Sequence, residues 1–405
     1  MNSSPIGFKD ALHKTRTNIR PLPIETFPLD QLLGRISAEN AIAQVDSPSV
    51  NASLRDGYAV SAAAISSASQ SNPVLLKIAG TAPAGATSQL QLHAGETVRI
   101  LTGGCLPQGA DAVLAEEFVQ RRDNEILIDQ PVASGKNVLP RGSDVRKKDI
   151  ILKKGEVFRP AALGLLAAAG VTHTRSYRTP RVAILATGDE VIAPGHPFQE
   201  GKIYASNLVT LMHWCRHFKM DVETKVVKDD FAELKAELEN ALACHDAVVT
   251  SGGVWKSERD LVIRVLEDIG WQQIFHRVRM GPGKAVGFGL YNQKPVFCLP
   301  GGPPSNQIAF LHLALPGLLR LAGCPDCGLP ILRARLTAAV SGQTDWTQFI
   351  HGEISKVNGE TLFTPLKSKS RLQDMSAADA ILTIPEGIEH LDEGSRVDVL
   401  ILFRY

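Results

Sequence analysis

The sequence predicts a multidomain chain of α/β plus β class, with a doubly wound α/β domain near its centre. Three runs carry that prediction: Arg181-Val-Ala-Ile-Leu-Ala-Thr-Gly-Asp-Glu190, Asp246-Ala-Val-Val-Thr-Ser-Gly-Gly253 and Pro295-Val-Phe-Cys-Leu-Pro-Gly-Gly-Pro-Pro-Ser305. Each reads as a strand, then a loop of small residues, then a helix. On either side the pattern changes to short apolar runs, in residues 24–135 and again in 331–405, which argues for β-rich modules. An open parallel sheet binds ligands at the carboxyl ends of its strands, where helix N-termini suit phosphate.

Taken in order, residues 24–135 hold the strand candidates Val74–Ile78, Glu96–Leu101, Ala112–Glu116 and Glu125–Asp129. Ser61 to Asn72 reads as a loop or short helix, Asp56-Gly57 as a turn, and Thr102-Gly103-Gly104 as a bend. Residues 136–178 read as a connector. Pro160 to Gly170 predicts a helix there, with Pro at its start and Gly at its end. Arg141, Asp144, Arg146, Lys147 and Lys148 form a mixed-charge, solvated run.

In residues 179–323, Leu208, Leu211, Cys215 and Phe218 mark a helix with Ser206 as N-cap. Phe231, Leu234, Leu238 and Leu242 mark a second, which Asp230 and Glu233 open as a capping box. A third runs from Ser305 to Leu319, kinked or ended by Pro316. Residues 331–405 return to strands at Leu332–Leu336, Phe349–Ile354, Ala380–Ile384 and Val397–Phe403, a small β-barrel or sandwich.

Composition narrows the function. At 405 residues, several domains are expected. A net charge of +1 gives no global pull toward nucleic acid or an anionic membrane. No apolar run is long enough to span a bilayer, and Met1 to Pro23 has no signal-peptide pattern. The six cysteines are scattered, which points to the cytoplasm rather than to a disulfide framework. Cys324-Pro-Asp-Cys327 reads as a turn, since no second pair completes a zinc site. His213 and His217 read as a solvated pair. Gly281-Pro-Gly-Lys-Ala285 lacks the earlier Gly and the following Ser or Thr of a P-loop, and reads by itself as a hairpin turn. No Gly-x-Gly-x-x-Gly joins a strand to a helix, against a Rossmann dehydrogenase.

The candidate site lies in the α/β region. Thr187-Gly188-Asp189-Glu190 and Ser251-Gly252-Gly253 follow β-branched strands, and Asp229, Asp230 and Asp260 add carboxylates. Magnesium takes one or two carboxylates plus substrate phosphates, so this set suits magnesium-assisted chemistry on a phosphate or pyrophosphate. Capping of helices by Asp189, Asp230 and Asp260 is the competing structural explanation.

With these motifs in order, the chain resembles the molybdopterin molybdenumtransferase family, that of MoeA and the gephyrin E domain. The resemblance rests on Asp56 to Val60, Arg99 to Thr102 with Pro107 to Val113, Arg141 to Asp144, Thr187 to Glu190, and Ser206-Asn207. Ser251 to Gly253 with Asp260, Pro282-Gly283-Lys284, and Pro300-Gly301 with Pro303 complete it. It implies an elongated connector from 1–23 and 136–178, an inserted β-rich domain at 24–135, an α/β molybdopterin-binding domain at 179–323 and a C-terminal β-barrel at 331–405.

It also implies a homodimer with the site between subunits, Asp56 reaching it from the partner chain. The implied reaction joins adenylylated molybdopterin and molybdate, with Mg²⁺, to give molybdenum cofactor and AMP. A molybdopterin adenylyltransferase upstream, and molybdoenzymes or their chaperones downstream, are the implied partners. By motif, the catalytic group is Asp56, Thr102, Asp144, Glu190, Asp260 and Lys284. Asp189, Glu190, Asp229 and Asp260 would serve the metal. Arg141, Thr187, Gly188, Ser206, Asn207, Ser251, Gly252, Gly253, Pro282, Gly283, Pro300, Gly301, Pro303 and Ser305 would bind substrate.

Several positions depart from the family pattern. Trp255 and Lys256 stand in a bulkier stretch after Ser251-Gly-Gly, and are expected to reshape the pocket by stacking and by pairing with an anion. Gly281 replaces a Lys, Ala285 a Pro, Gly302 an Asn, His351 an Arg, and Arg55 a Met. The family's Ser-containing loop is matched loosely at Lys369 to Asp379. A non-catalytic carrier of molybdopterin or the cofactor, a tungstate-inserting paralogue and a partner-binding scaffold are the alternatives to the enzyme.

Overall fold

A computed structural model describes residues 4–85, 90–253, 261–324, 328–366 and 370–402. The chain forms two compact units. One comprises Met1–Glu25, Gly34–Ala38 and Ser176–Tyr405; the other comprises Thr26–Leu33 and Glu39–Arg175. The first twenty-odd residues therefore group with the α/β region rather than with 136–175.

The α/β sheet has the strand order Asp221–Val227, Arg181–Thr187, Ala247–Ser251, Lys294–Leu299, Gly287–Tyr291, Gln272–His276. The first four are parallel and the last two antiparallel. Arg181–Thr187 and Ala247–Ser251 are covered on both faces, so they read as unbroken apolar runs rather than alternating ones. Even-numbered Val182, Ile184 and Ala186 enter one core with Leu208, Leu211 and Cys215 of the helix Ser206–His217. Odd-numbered Ala183 and Leu185 enter another, with Leu234 and Leu238 of Phe231–Cys244 and Val262, Val265 and Leu266 of Leu261–Asp268. Each buried Leu contributes about 2 kcal/mol.

Two helix starts test the sequence reading. The Asp230 carboxylate accepts the Glu233 amide at 2.9 Å, as the spacing predicts. Ser206, in contrast, is the first helical residue and not the cap. Ala205 precedes it with its amide bound to the Ile192 carbonyl at 2.9 Å, so a parallel strand pair, Val191–Ile192 and Ile203–Tyr204, sets where that helix begins. The third predicted helix starts earlier, at Pro303, and is broken as Pro316 requires. A π-helical turn, Phe310–Ala314, separates Pro303–Ala309 from Leu315–Leu321. Proline removes one N–H and crowds the carbonyl four residues back, which a wider turn relieves.

The C-terminal strands close into a barrel, deciding between barrel and sandwich. Thr347–Val357 pairs with Glu360–Pro365, which pairs with Ile331–Leu336, then Arg396–Ile401, then Ala380–Ile384, and so back to Thr347–Val357. Glu360–Pro365 was not among the predicted strands. Phe363, fully buried, fills the interior with Leu336, Leu382 and Val399.

The other unit holds a six-stranded sheet ordered Ala112–Ala115, Gly57–Val60, Glu96–Ile100, Val74–Ala82, Glu125–Ile128, Gln120–Arg122. Asp56-Gly57 is not a hairpin turn there: it is a bend that leads into a central strand. Glycine is required because a Cβ at 57 would run into the Leu114 carbonyl on the adjacent strand. A second core of Leu32, Phe158, Leu166 and Val171 gathers around the helix Pro160–Ala168, which has Pro in its first turn.

Candidate functional site

Adjacent strands Arg181–Thr187 and Ala247–Ser251 send the chain to opposite faces of the sheet. The first leads to Ser206–His217 and the second to Leu261–Asp268. Such a reversal opens a crevice at the carboxyl edge. Ala186, Ser251 and Leu299 stand in register across three strands, so their loops emerge side by side. Together with the Gly281–Ala285 turn and residues of the barrel they line a cleft of about 1320 Å³.

One lip of the cleft is a neutral hydrogen-bond network. Asn207 Nδ2 donates to Ser251 Oγ at 3.0 Å and to the Gly301 carbonyl at 2.8 Å. Asn306 Nδ2 donates to the same Ser251 Oγ at 3.0 Å and to the Pro300 carbonyl at 2.9 Å. Two helix starts and the Pro300-Gly301 loop are thus tied to one strand end through a single hydroxyl. Gly252 and Gly253 have positive φ, +104° and +66°, and pack against Thr187. A Cβ at 252 would stand 2.6 Å from the Thr187 carbonyl, and one at 253 would stand 2.7 Å from Val262 Cγ2. Thr187 is itself 4% exposed, and among the described residues its hydroxyl has no partner.

The other lip is acidic. Asp189 Oδ1 accepts the Asp229 amide at 3.3 Å, and Glu190 lines the cleft beside Asp229. Burial first, then the Asp189 charge, and more weakly Glu190, push the Asp229 carboxyl above the usual range. Lys202 Nζ donates to the Asp189 carbonyl at 2.5 Å. Among the described residues no three His, Cys, Asp or Glu side chains gather closely enough to hold a metal ion by themselves. One or two carboxylates with substrate phosphate oxygens form the donor set magnesium commonly takes, and Glu190 and Asp229 fit that role.

Cations reach the cleft from three directions: Lys202, Lys284 and Arg371. Pro282, Gly283, Pro303 and Ser305 line it, with Thr187, Gly188, Ser206, Asn207 and Gly301. At His351, where the resemblance expected Arg, burial pushes the imidazole down despite Asp374, and its Nε2 lies 2.9 Å from Gln307 Oε1.

Asp56, Thr102, Arg141 and Asp144 belong to the other unit. There the Asp56 carboxylate accepts the Thr102 amide at 2.6 Å and its hydroxyl at 2.8 Å, which holds it below the usual range. Arg141 Nε pairs with Asp46 at 2.6 Å and its amide donates to Asn51 at 2.9 Å, so the charged run is partly an ordered network. Trp255, Lys256 and Asp260 lie outside the described residues, as does Cys327. Sequence reasoning missed Asn306, Trp346, Gln348 and Arg371. Asn306 sits three residues past Pro303 in a motif already singled out, and Arg371 lies in the loosely matched loop Lys369 to Asp379; Trp346 and Gln348 carry no motif and reach the cleft only through tertiary packing.

Residues 6–170 match the MoeA N-terminal region (domains I and II), 183–320 a probable molybdopterin binding domain, and 333–402 the MoeA C-terminal region (domain IV). Over 380 residues the chain is 31% identical to molybdopterin molybdenumtransferase 2 of Mycobacterium tuberculosis, covering 92% of this chain and 94% of that one. It is 26% identical over 401 residues to molybdopterin molybdenumtransferase of Staphylococcus aureus, covering 98% and 96%. The crystal structure of the molybdopterin biosynthesis MoeA protein from Pyrococcus horikosii superposes with a TM-score of 0.86 at 34% identity, covering 99% and 100%. Fold and matches together define a transferase of molybdenum cofactor biosynthesis. The chain belongs to the MoeA family of molybdopterin molybdenumtransferases.

Proposed function

We propose that this chain inserts molybdate into adenylylated molybdopterin in the cytoplasm, with Mg²⁺, releasing AMP and forming molybdenum cofactor. The observation that carries the reading is a single cleft at the sheet's switch point, with neutral donors on one lip and carboxylates on the other. The neutral lip suits the phosphate oxygens of the substrate. Asp189, Glu190 and Asp229 supply carboxylate oxygens; when bound, Mg²⁺ neutralises charge on the phosphoryl oxygens. Lys284 and Arg371 suit an oxyanion, and the two dithiolene sulfurs of the substrate, rather than cysteines of the protein, bind the molybdenum.

The reading includes a homodimer in which the partner subunit's Asp56 completes the site. An adenylyltransferase would supply the substrate, and molybdoenzymes or their chaperones would take the product. Two departures, Gly281 where the family pattern has Lys and His351 where it has Arg, favour a second reading in which the chain carries the cofactor without turnover. Incubating purified protein with adenylylated molybdopterin, Mg²⁺ and either molybdate or tungstate, then assaying AMP and reconstitution of a cofactor-free molybdoenzyme, separates the two. Production of both AMP and active enzyme is expected. Tight binding with neither product leaves the carrier reading standing and the transferase reading refuted.

A further inference from the structure

The Ser251 hydroxyl has only one thing left to do. Asn207 Nδ2 reaches it at 3.0 Å and the Gly301 carbonyl at 2.8 Å; Asn306 Nδ2 reaches it at 3.0 Å and the Pro300 carbonyl at 2.9 Å. A carbonyl oxygen only accepts, so each amide must turn its NH₂ group, and not its oxygen, toward the network. Each NH₂ has two hydrogens, one for its carbonyl and one for Ser251. Both lone pairs of the hydroxyl are then occupied, and its own proton remains to be given. Among the described residues nothing accepts it, and Ser251, 4% exposed, lines the cleft.

We infer that Asn306 is a positioning residue for the transfer: with Asn207 it locks the Ser251 hydroxyl as a one-way donor to a phosphate oxygen of the substrate. The inference rests on the phosphate-bearing substrate proposed above. It explains a residue that no motif assigned. Asn306 is 1% exposed, and an amide that deep is costly unless paired. The resemblance places an Asn at position 302, where this chain has Gly302, and the helix Pro303–Ala309 begins there without a side-chain cap. Asn306, one turn further on, brings an amide back to the Pro300 carbonyl. A phosphate oxygen, acceptor only, matches a hydroxyl that can only donate; a ligand group that must itself donate finds no acceptor at this atom.

Calorimetric titration of the full chain with AMP and with adenosine tests this. The ratio of the two affinities reports the phosphate alone. Wild type is expected to prefer AMP. Ser251→Ala and Asn306→Ala should each cut that preference roughly tenfold and leave adenosine binding unchanged. The double variant should lose no more than either single one, because both changes remove the same oriented proton. A merely structural Asn306 would weaken both ligands alike. Asn306→Ser, smaller but still polar, is read in the same way should the alanine variant fail to fold. Unchanged AMP preference in Ser251→Ala overturns the donor. Loss in Ser251→Ala with none at position 306, or losses that multiply in the double variant, overturns the positioning role. A wild type that binds both ligands equally overturns the phosphate site and the inference with it.

Discussion

Two carboxylates in the α/β domain sit at opposite edges of one sheet and face opposite fates. At the amino edge, Asp246 is 7% exposed and gripped by Arg178 through two bonds of 2.8 and 2.6 Å, with the Arg181 amide at 2.8 Å. Burial pushes its carboxyl up, but the Arg178 and Arg181 hydrogen bonds outweigh burial and hold it below the usual range. At the carboxyl edge, burial and then its acidic neighbours push the Asp229 carboxyl up, and among the described residues no cation pairs with it to pull it back. An acid whose charge is satisfied serves the fold. One whose charge is left opposed has a reason to be there that the fold alone does not supply, and here it borders the cleft.

Removing each charge should therefore act in opposite senses. Asp246→Asn takes the carboxylate away from Arg178 and should cost about 2–3 kcal/mol in urea unfolding. Because the native carboxyl is depressed, its contribution is complete above the ordinary aspartate range and fades as pH falls through the native value. Wild type should consequently lose stability on acidification more steeply than the variant; parallel curves would refute the linkage. Next in size, Gly253→Val places a branched side chain at φ +66°, against Val262. It should cost about 1–3 kcal/mol and abolish ligand binding, and retention of AMP affinity would show that the loop has other ways to close. The smallest effect has the opposite sign. Since the Asp229 carboxyl is raised, its ionisation opposes folding, a penalty absent at low pH and full above the raised value. Asp229→Asn should melt slightly higher than wild type at neutral pH, with no gain at acid pH, while turnover falls. A lower melting temperature at pH 7 would place Asp229 with Asp246 as a structural acid.

The sequence exposes whatever local chemistry dictates. Apolar runs located the strands Arg181–Thr187, Ala247–Ser251 and Lys294–Leu299, and the small residues after them marked the cleft, because both signals lie within a few consecutive residues. Asp230 was legible as a cap for the same reason. Ser206 misled because its neighbours in sequence do not reveal the Ile203–Tyr204 pairing that fixes where its helix starts. Asp56-Gly57 has the letters of a turn, whereas the need for glycine comes from a strand more than fifty residues away. Asn306 was hidden in a similar way: its meaning depends on Ser251, at a strand end, and Asn207, at another helix start, arriving at the same point.

One pairing joins the barrel to the cleft. The short strand Val278–Gly281 hydrogen-bonds to the barrel at Met280–Thr347 and Gly281–Gln348, and runs on directly into Pro282, Gly283 and Lys284. The lysine is thus mounted on the cylinder's own frame, a stiff anvil on which an anion can be held. The long excursion from Gly188 to Ala205 brings Glu190 and Lys202 to the same cleft from a different part of the chain, so the anion-holding lysine and the acid answer to separate supports.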